Sequence, residues 1–351
     1  MNIAYYVSGH GFGHISRSYE IILALLEHKK VDKIFVNTTR KDFVKDKKEN
    51  LVFREIATDV GIIQEKSISM DLEKTIDAIE KLQKNKKEII ESEIEFLKKE
   101  KIDIVFSDSS SLPFAFANKL NIPSYFIGNF TWDFIYQNYT KQYSFFKDYV
   151  KLIRDEYSLA TFGFILPFHC PMDYIPRKKN IGIIGRSPKR NRKEIRESIR
   201  FSEQNQYFLF SFGAYGIPES DLSYMGLKEN QWIVVSGYEG LKGNKVMDVK
   251  DIYYPDLVRA CDYVLTKPGY GILSETYLAG TPIIYTDRGD FAEYDYLVQA
   301  METYHYSAFL SQKELLSMNL ESAVQKIEIQ RNSRKIPYLS KGEIEILEQI
   351  F

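Results

Sequence analysis

Apolar residues run almost unbroken through 3–7 (Ile3-Ala4-Tyr5-Tyr6-Val7) and 33–37 (Lys33-Ile34-Phe35-Val36-Asn37). Short runs of this kind predict strands buried on both faces. Residues 51–56 and 124–127 read the same way, and 103–107 predicts a strand that delivers Asp108 at its C-terminal end. Helical spacing intervenes at 19–26, and again from 71 to 99. There Leu72, Ile76, Ile79, Leu82, Ile89, Ile90, Ile94 and Leu97 recur among charged residues and predict one or two long amphipathic helices. Ser109, Ser110 and Ser111 precede a further helix through 115–117. The rhythm repeats in the second half, with strands predicted at 207–211, 232–235, 263–266 and 282–285 and a terminal helix over the last twenty residues. This alternation predicts an α/β protein with doubly wound parallel sheets, whose ligands bind beyond the C-terminal ends of the strands. Prolines at 167, 171, 176 and 188, with the basic run Arg177-Lys178-Lys179, mark a link between domains. The expected division is 1–176, 177–330, and a terminal helix in 331–351 packing back toward the first domain.

A length of 351 residues suits two such domains. With 47 basic against 48 acidic side chains, the net charge of −1 gives no reason to expect nucleic-acid binding. Cys170 and Cys261 are far apart and fit no metal-ligand spacing, so they read as buried thiols of a reducing compartment. No basic segment precedes the first apolar run, which is too short for a signal peptide or a membrane span. The expectation is a soluble cytoplasmic protein, with a peripheral position at the inner membrane face left open. Tyr136, Tyr139, Tyr143, Phe145, Phe146 and Tyr149 recur at roughly helical intervals and read as core packing.

Two glycine-rich segments carry candidate chemistry. Gly9-His10-Gly11-Phe12-Gly13-His14-Ile15-Ser16-Arg17 lies between the first predicted strand and helix. Bare backbone N–H groups at such a place suit an anion, and the histidines put a proton carrier beside it. The spacing is not the dinucleotide fingerprint, because the two-residue gap before the last glycine is missing. His10, His14, Asp108 and Asn129 all fall just after predicted strands and can converge on one rim, although His10 reads better as loop packing. The second segment is Lys267-Pro268-Gly269-Tyr270-Gly271-Ile272, with Glu275 about one turn into the following helix. Gly269 and Gly271 allow a close approach to a diphosphate, Lys267 adds a positive charge, and Glu275 is placed to accept from a ribose diol. Read alone, this block has as its lesser alternative a glycine-tightened turn with Glu275 as a solvated first-turn carboxylate. His28, His169 and His305 have no companion motif.

Together these segments resemble the two-domain glycosyltransferases of the GT-B fold, in which two Rossmann-like doubly wound domains face a cleft. The first is similar to the glycine-rich loop of the family 28 group, whose peptidoglycan N-acetylglucosaminyltransferases have Pro where this chain has Arg17. The nearest similarity is to the N-terminal, glycosyltransferase-like half of plant L-arabinokinases. It rests on the 5–14 opening, on Asn129-Phe130-Thr131-Trp132-Asp133 and on Gly269-Tyr270-Gly271, and extends over residues 1 to about 300. The sugar-kinase half of those proteins has no counterpart within the 351 residues.

The resemblance implies a nucleotide diphosphate sugar as donor, UDP-linked, and a hydroxyl acceptor that is a glycan, a lipid-linked molecule or a small molecule. Gly11 and Gly13 would lie at the donor, and Gly269, Tyr270, Gly271 and Ile272 would present backbone to the diphosphate. Gly213 would add a phosphate contact, as would Arg186 (or Lys189), although Ile184-Gly185-Arg186-Ser187-Pro188-Lys189 departs from the family's pattern. Glu275 would bind the ribose and Glu293 the donor sugar. His14 would be the general base and Asp108 its orienting acid. No cofactor and no metal are implied, in keeping with the lack of an Asp-x-Asp ligand pair. The expected activity is inverting transfer of a hexosyl or N-acetylhexosaminyl group. A nucleotide-sugar hydrolase of the same fold, which shares a Gly-His-x-x-Arg loop, and a non-catalytic nucleotide-sugar binder are the alternatives.

Overall fold

The computed structural model describes residues 1–40, 48–66, 69–212, 226–238, 241, 243–289 and 291–351. The chain divides into two compact units. The first comprises Met1–Ile63, Asp71–Ile184 and Leu339–Phe351, the second Gln64–Met70 and Gly185–Tyr338.

In the first unit, seven strands among the described residues form one parallel sheet. Their order is Leu51–Arg54, Lys33–Asn37, Asn2–Val7, Ile102–Asp108, Ser124–Gly128, Phe162–Ile165 and Lys178–Asn180. The chain builds outward in one direction from Asn2–Val7 and in the other from Ile102–Asp108, so the winding reverses between these two strands. Ligands of open parallel sheets bind beside such a reversal, because the loops there diverge to opposite faces. The register places Val7 opposite Asp108 at that point.

Helix Gly11–Leu26 starts eight residues before the apolar periodicity at 19–26 suggests. Gly-Phe-Gly-His carries little helical signal, and this first part is held by polar contacts to the sheet described below. The 71–99 pattern is a single helix, Leu72–Lys99, capped by the Asp71 carboxylate, which accepts from the Lys74 N–H at 2.8 Å. Tyr136, Tyr139, Phe146 and Tyr149 are buried, with Tyr136 stacked on Phe146 at 5.3 Å between ring centroids. Both cysteines are buried free thiols.

Strand Lys178–Asn180 lies beyond the expected boundary at 176 and is exposed throughout. Its lysines guard an edge of the sheet, which is why a basic run there read as a linker. Residues 181–184 then meet the returning C-terminus. Ile183 N–H donates to Ser340 O at 2.8 Å, and Gly342 N–H donates to Ile183 O at 3.1 Å. A Cβ at Gly182 would lie 2.0 Å from Ser340 O, so this approach requires glycine. Helix Gly342–Ile350 follows and belongs to the first unit.

The second unit contains, among its described residues, a six-stranded parallel sheet. Its order is Val246–Asp248, Gln231–Val235, Gln206–Ser211, Tyr263–Thr266, Ile283–Tyr285 and Ser307–Phe309. The winding reverses between Gln206–Ser211 and Tyr263–Thr266, where Ser211 pairs with Thr266. Alternate residues of Gln206–Ser211 enter opposite cores. Phe208 and Phe210 pack with Ile233 and Leu265, while Tyr207 and Leu209 pack with Val234 and Leu257. Each such buried side chain contributes about 1.5–3 kcal/mol. No helix among the described residues is long and apolar enough to cross a membrane.

Candidate functional site

At the reversal of the first sheet the chain passes from strand Asn2–Val7 through Ser8, Gly9 and His10 directly into helix Gly11–Leu26. Gly11 adopts a φ of +74°, which makes this abrupt entry cheap only for glycine. His14, Arg17 and Ser18 then share one helical face, three and four residues apart. That face meets Asp108, the fully buried last residue of Ile102–Asp108.

Arg17 grips both oxygens of Asp108, from Nε to Oδ2 and from Nη2 to Oδ1, each at 2.7 Å. Ser18 Oγ donates to Oδ2 at 2.8 Å, and His14 Nδ1 stands 2.7 Å from Oδ1. Arg17 Nη1 reaches on to Asn129 Oδ1 at 2.6 Å. Burial alone would raise the Asp108 carboxyl, but the Arg17 guanidinium and then His14 hold it well below the usual carboxylate range. An ionised carboxylate only accepts hydrogen bonds, so His14 Nδ1 carries a proton directed at Asp108 Oδ1. Arg17 Nη2 lies 3.0 Å from Nδ1; with both atoms donors to Asp108, this is a contact and not a hydrogen bond. Ser109, directly after Asp108, holds a φ of +63°. A non-glycine residue in the left-handed region stores about 1–3 kcal/mol of strain, as is common beside functional groups.

Aromatic rings wall the imidazole. His14 meets Phe130 edge-on at 5.6 Å and lies 6.3 Å from Trp132, which also meets His10 at 5.4 Å. Trp132 Nε1 donates to Asp59 Oδ2 at 2.8 Å, and Ser110 Oγ donates to Thr58 O at 3.0 Å. A Cβ at Gly61 would come 2.1 Å from His10 Nδ1, so residues 58–61 press against the glycine-histidine loop. Burial raises the Asp59 carboxyl, and hydrogen bonds from Ser8 and Trp132 oppose the rise. Asp59 sits in no recognisable motif, although its segment, 57–70, is one of the two loops (with 128–150) expected on the acceptor side.

In the second unit, Lys267 follows strand Tyr263–Thr266, and helix Tyr270–Ala279 begins after Gly269. Gly269 is extended and has open space where a Cβ would stand, the nearest atom being Arg288 Nη1 at 4.0 Å. Among the described residues no atom crowds this position. Tyr270 is buried in the first turn, with Gly271 and Ile272 half-buried behind it. Glu275 is buried, and both Nε and Nη2 of Arg186 lie 2.6 Å from its Oε1. Burial raises the Glu275 carboxyl and Arg186 opposes the rise. The two residues expected to hold phosphate and ribose are thus paired with each other. Lys189 turns elsewhere, with its N–H on Asp256 Oδ1 at 2.7 Å and its ammonium 4.5 Å from the Tyr253 ring.

Burial and then the charge of Arg288 bring the Lys267 ammonium down to about 8. Arg288, which no sequence motif marks, donates to Pro268 O at 3.0 Å and reaches the buried Glu293 at 3.3 Å. Gly213 lies outside the described residues. Among the described residues, no group of three or more His, Cys, Asp and Glu side chains is placed to hold a metal ion.

Two consecutive parallel-sheet units, each with its polar groups at the reversal of its sheet, define the GT-B class of fold, and solved structures of that class match nearly the whole chain. A UDP-glucosyltransferase from Polygonum tinctorium superposes with a TM-score of 0.67 at 10% identity, covering 99% of this chain and 97% of that one. The spinosyn rhamnosyltransferase SpnG gives 0.66 at 8% identity, covering 99% and 100%. The glycosyltransferase SnogD from Streptomyces nogalater gives 0.56 at 13%, covering 100% and 98%. In sequence the chain is similar to an L-arabinokinase from Arabidopsis thaliana, with 30% identity over 322 residues. The matched region is 89% of this chain, which spans about a third (31%) of that relative. No known family profile matches the chain. The chain therefore belongs to the GT-B fold class and is related to a stretch of L-arabinokinase.

The folded-state depression of Asp108 has a defined sign. Its stabilising contribution is present above the ordinary carboxylate pKa of about 4 and is lost as pH falls below it. Asp108→Asn leaves Arg17 buried and uncompensated, at a cost of about 3–5 kcal/mol near neutrality. Urea unfolding of both proteins should show this gap at about pH 7 and a smaller one at about pH 3; an equal gap at both values would refute the assignment.

Proposed function

We propose that the protein transfers a sugar from a nucleoside diphosphate, UDP by preference, to a hydroxyl acceptor, with inversion and without a metal ion. The observation that supports this most is that each sheet carries its chemistry at its own winding reversal. The first has a histidine–carboxylate pair, the second a lysine and glutamate around a bare glycine at a helix start.

In this reading His14 Nε2 accepts the acceptor's hydroxyl proton as the oxygen attacks the anomeric carbon. The bond from that carbon to the diphosphate breaks, and the diphosphate departs with the electron pair. Asp108, already ionised, balances the imidazolium that forms. Lys267 and the N–H groups of residues 270–272 receive the growing charge on the leaving group. Both Arg186 contacts fall on Oε1 of Glu275; the ribose diol then donates to Oε2. Glu293 serves the donor sugar, and Gly213 and Gly13 serve the donor as the resemblance implies. The similarity of the solved neighbours supports this reading, and it carries over nothing from the kinase name of the longer relative.

His14→Ala should lower turnover by about 10²–10⁴-fold while the thermal shift caused by UDP is retained. The assay follows UDP release from a panel of UDP-sugars, with and without a mixture of hydroxyl acceptors. Undiminished turnover in the variant would remove His14 from this role. Release of free sugar at the full rate without acceptor would mark a hydrolase instead.

Lys267 supplies a pH signature. A diphosphate favours the charged ammonium, so bound Lys267 keeps its proton to higher pH. UDP affinity should be level in acid and fall as pH rises through about 8, by up to about tenfold per unit. Calorimetric titration across this range checks the trend, and Lys267→Met should bind more weakly and lose the decline. A profile in wild type as flat as in the variant would contradict it.

A further inference from the structure

Asp59 is held more firmly than a residue of an irregular segment needs to be. It is half-buried, and the backbone on either side of it is clamped by side chains from distant parts of the first unit. Ser110 Oγ donates to Thr58 O at 3.0 Å, and the Tyr136 hydroxyl donates to Val60 O. Tyr136 also stacks on Trp132 at 5.7 Å between ring centroids. One ring thus steadies both the backbone beside Asp59 and the indole that bonds its side chain. Trp132 Nε1 donates to Asp59 Oδ2 at 2.8 Å, and the Ser8 hydroxyl donates to the same carboxyl group. The Trp132 ring lies 6.3 Å from His14, whose charge bears on Asp59 in turn. Carboxylate and imidazole therefore border one preformed aromatic wall.

A neutral acceptor would satisfy an indole N–H and a serine hydroxyl equally well, so a charge exceeds what Trp132 and Ser8 require. The contrast with Asp108 is plain. A guanidinium grips Asp108, whereas neutral donors alone hydrogen-bond Asp59 among the described residues, and burial raises its carboxyl. A carboxylate offers about four lone-pair directions, so two donors leave room for another hydroxyl. Such a hydroxyl would offset the cost of burial. An apolar ring laid against Asp59 would instead strip water from a polar group and replace none of its hydrogen bonds.

We infer that Asp59 accepts a hydrogen bond from a second hydroxyl of the acceptor, next to the one that His14 deprotonates, and so selects sugars and polyols over apolar alcohols and phenols. This rests on the transfer reading above and names the class of acceptor within it. A site built to bond a hydroxyl discriminates strongly against an analogue that lacks it, because the site's own polar group is then left stranded.

The test is saturation-transfer NMR on the full chain with matched probes. Trans-cyclohexanediol is compared with cyclohexanol, and the methyl glycosides of glucose and galactose with their monodeoxy analogues and with para-nitrophenol. The diol should bind about 10–100-fold more tightly than cyclohexanol, and a glycoside by a similar factor over one of its monodeoxy partners. Asp59→Asn keeps the shape and an acceptor for Trp132, and in it those ratios should fall toward one. A merely structural Asp59 would weaken all probes together and leave the ratios intact. The comparison in wild type needs no variant, so it decides the matter even if near-UV circular dichroism shows Asp59→Asn to be misfolded. Cyclohexanol or para-nitrophenol bound as tightly as the polyols, no polyol bound at all, or unchanged ratios in the folded variant overturns the inference. Polyol binding that depends on Asp59, without UDP release from any UDP-sugar, supports this role for Asp59 and sinks the transfer reading instead.

Discussion

A single buried negative charge organises the first unit. Asp108 lies at the end of a central strand with no exposed surface, and an ion there is tolerable only if it is fully met. Arg17 meets both oxygens, Ser18 one of them and His14 the other. All three donors come from the same helix, so the charge also docks that helix on the strand beside it. The weak helical signal of Gly11 to Ser18 is thereby overruled by tertiary contact. The same charge holds a proton on the imidazole Nδ1. The helix's position and the imidazole's orientation thus share one cause.

The two units use the same architectural opening for different electrostatic ends. In a parallel sheet every strand delivers its C-terminus to the same rim, and at the reversal the following segments part and leave room. The first unit fills that room with pre-paired groups, carboxylate against guanidinium and imidazole, an arrangement suited to moving a proton. The second places Lys267 and the half-buried Gly269 directly before the start of helix Tyr270–Ala279. That arrangement suits receiving an anion. The contrast also accounts for Lys267, whose ammonium loses its proton more readily than an exposed one.

Much of the scaffold was legible because central strands of parallel sheets are apolar on both faces. Residues 3–7, 33–37, 103–107 and 263–266 all lie in strands at or near those positions. The edge strand Lys178–Asn180 was not, since an exposed edge favours charge over apolar patterning. Motif residues His14, Asp108, Lys267 and Glu275 could be named from the chain because each follows a readable strand or glycine turn. Their pairings were less accessible: that Arg186 lies on Glu275 is a fact of three-dimensional distance. Neither Asp59 nor Arg288 is marked by a motif. Each belongs to an irregular segment, and its meaning comes from a partner far along the chain (Trp132 for one) or across a turn (Pro268 and Gly269 for the other). The segment around Gly213 lies outside the described residues.

The stitching of residues 339–351 onto 182–184 has a temporal implication. The first unit is discontinuous, and its closing helix emerges from the ribosome only after the whole of 185–338 has been made. Domains generally fold as units in the order of synthesis, but here the earlier one must wait, with the backbone of Ile183 lacking its partners on Ser340 and Gly342, until the later one is complete. Ordering of the nascent first unit thus finishes last, and a truncation after 338 would injure the unit that begins the chain while leaving the residues of the second unit in place.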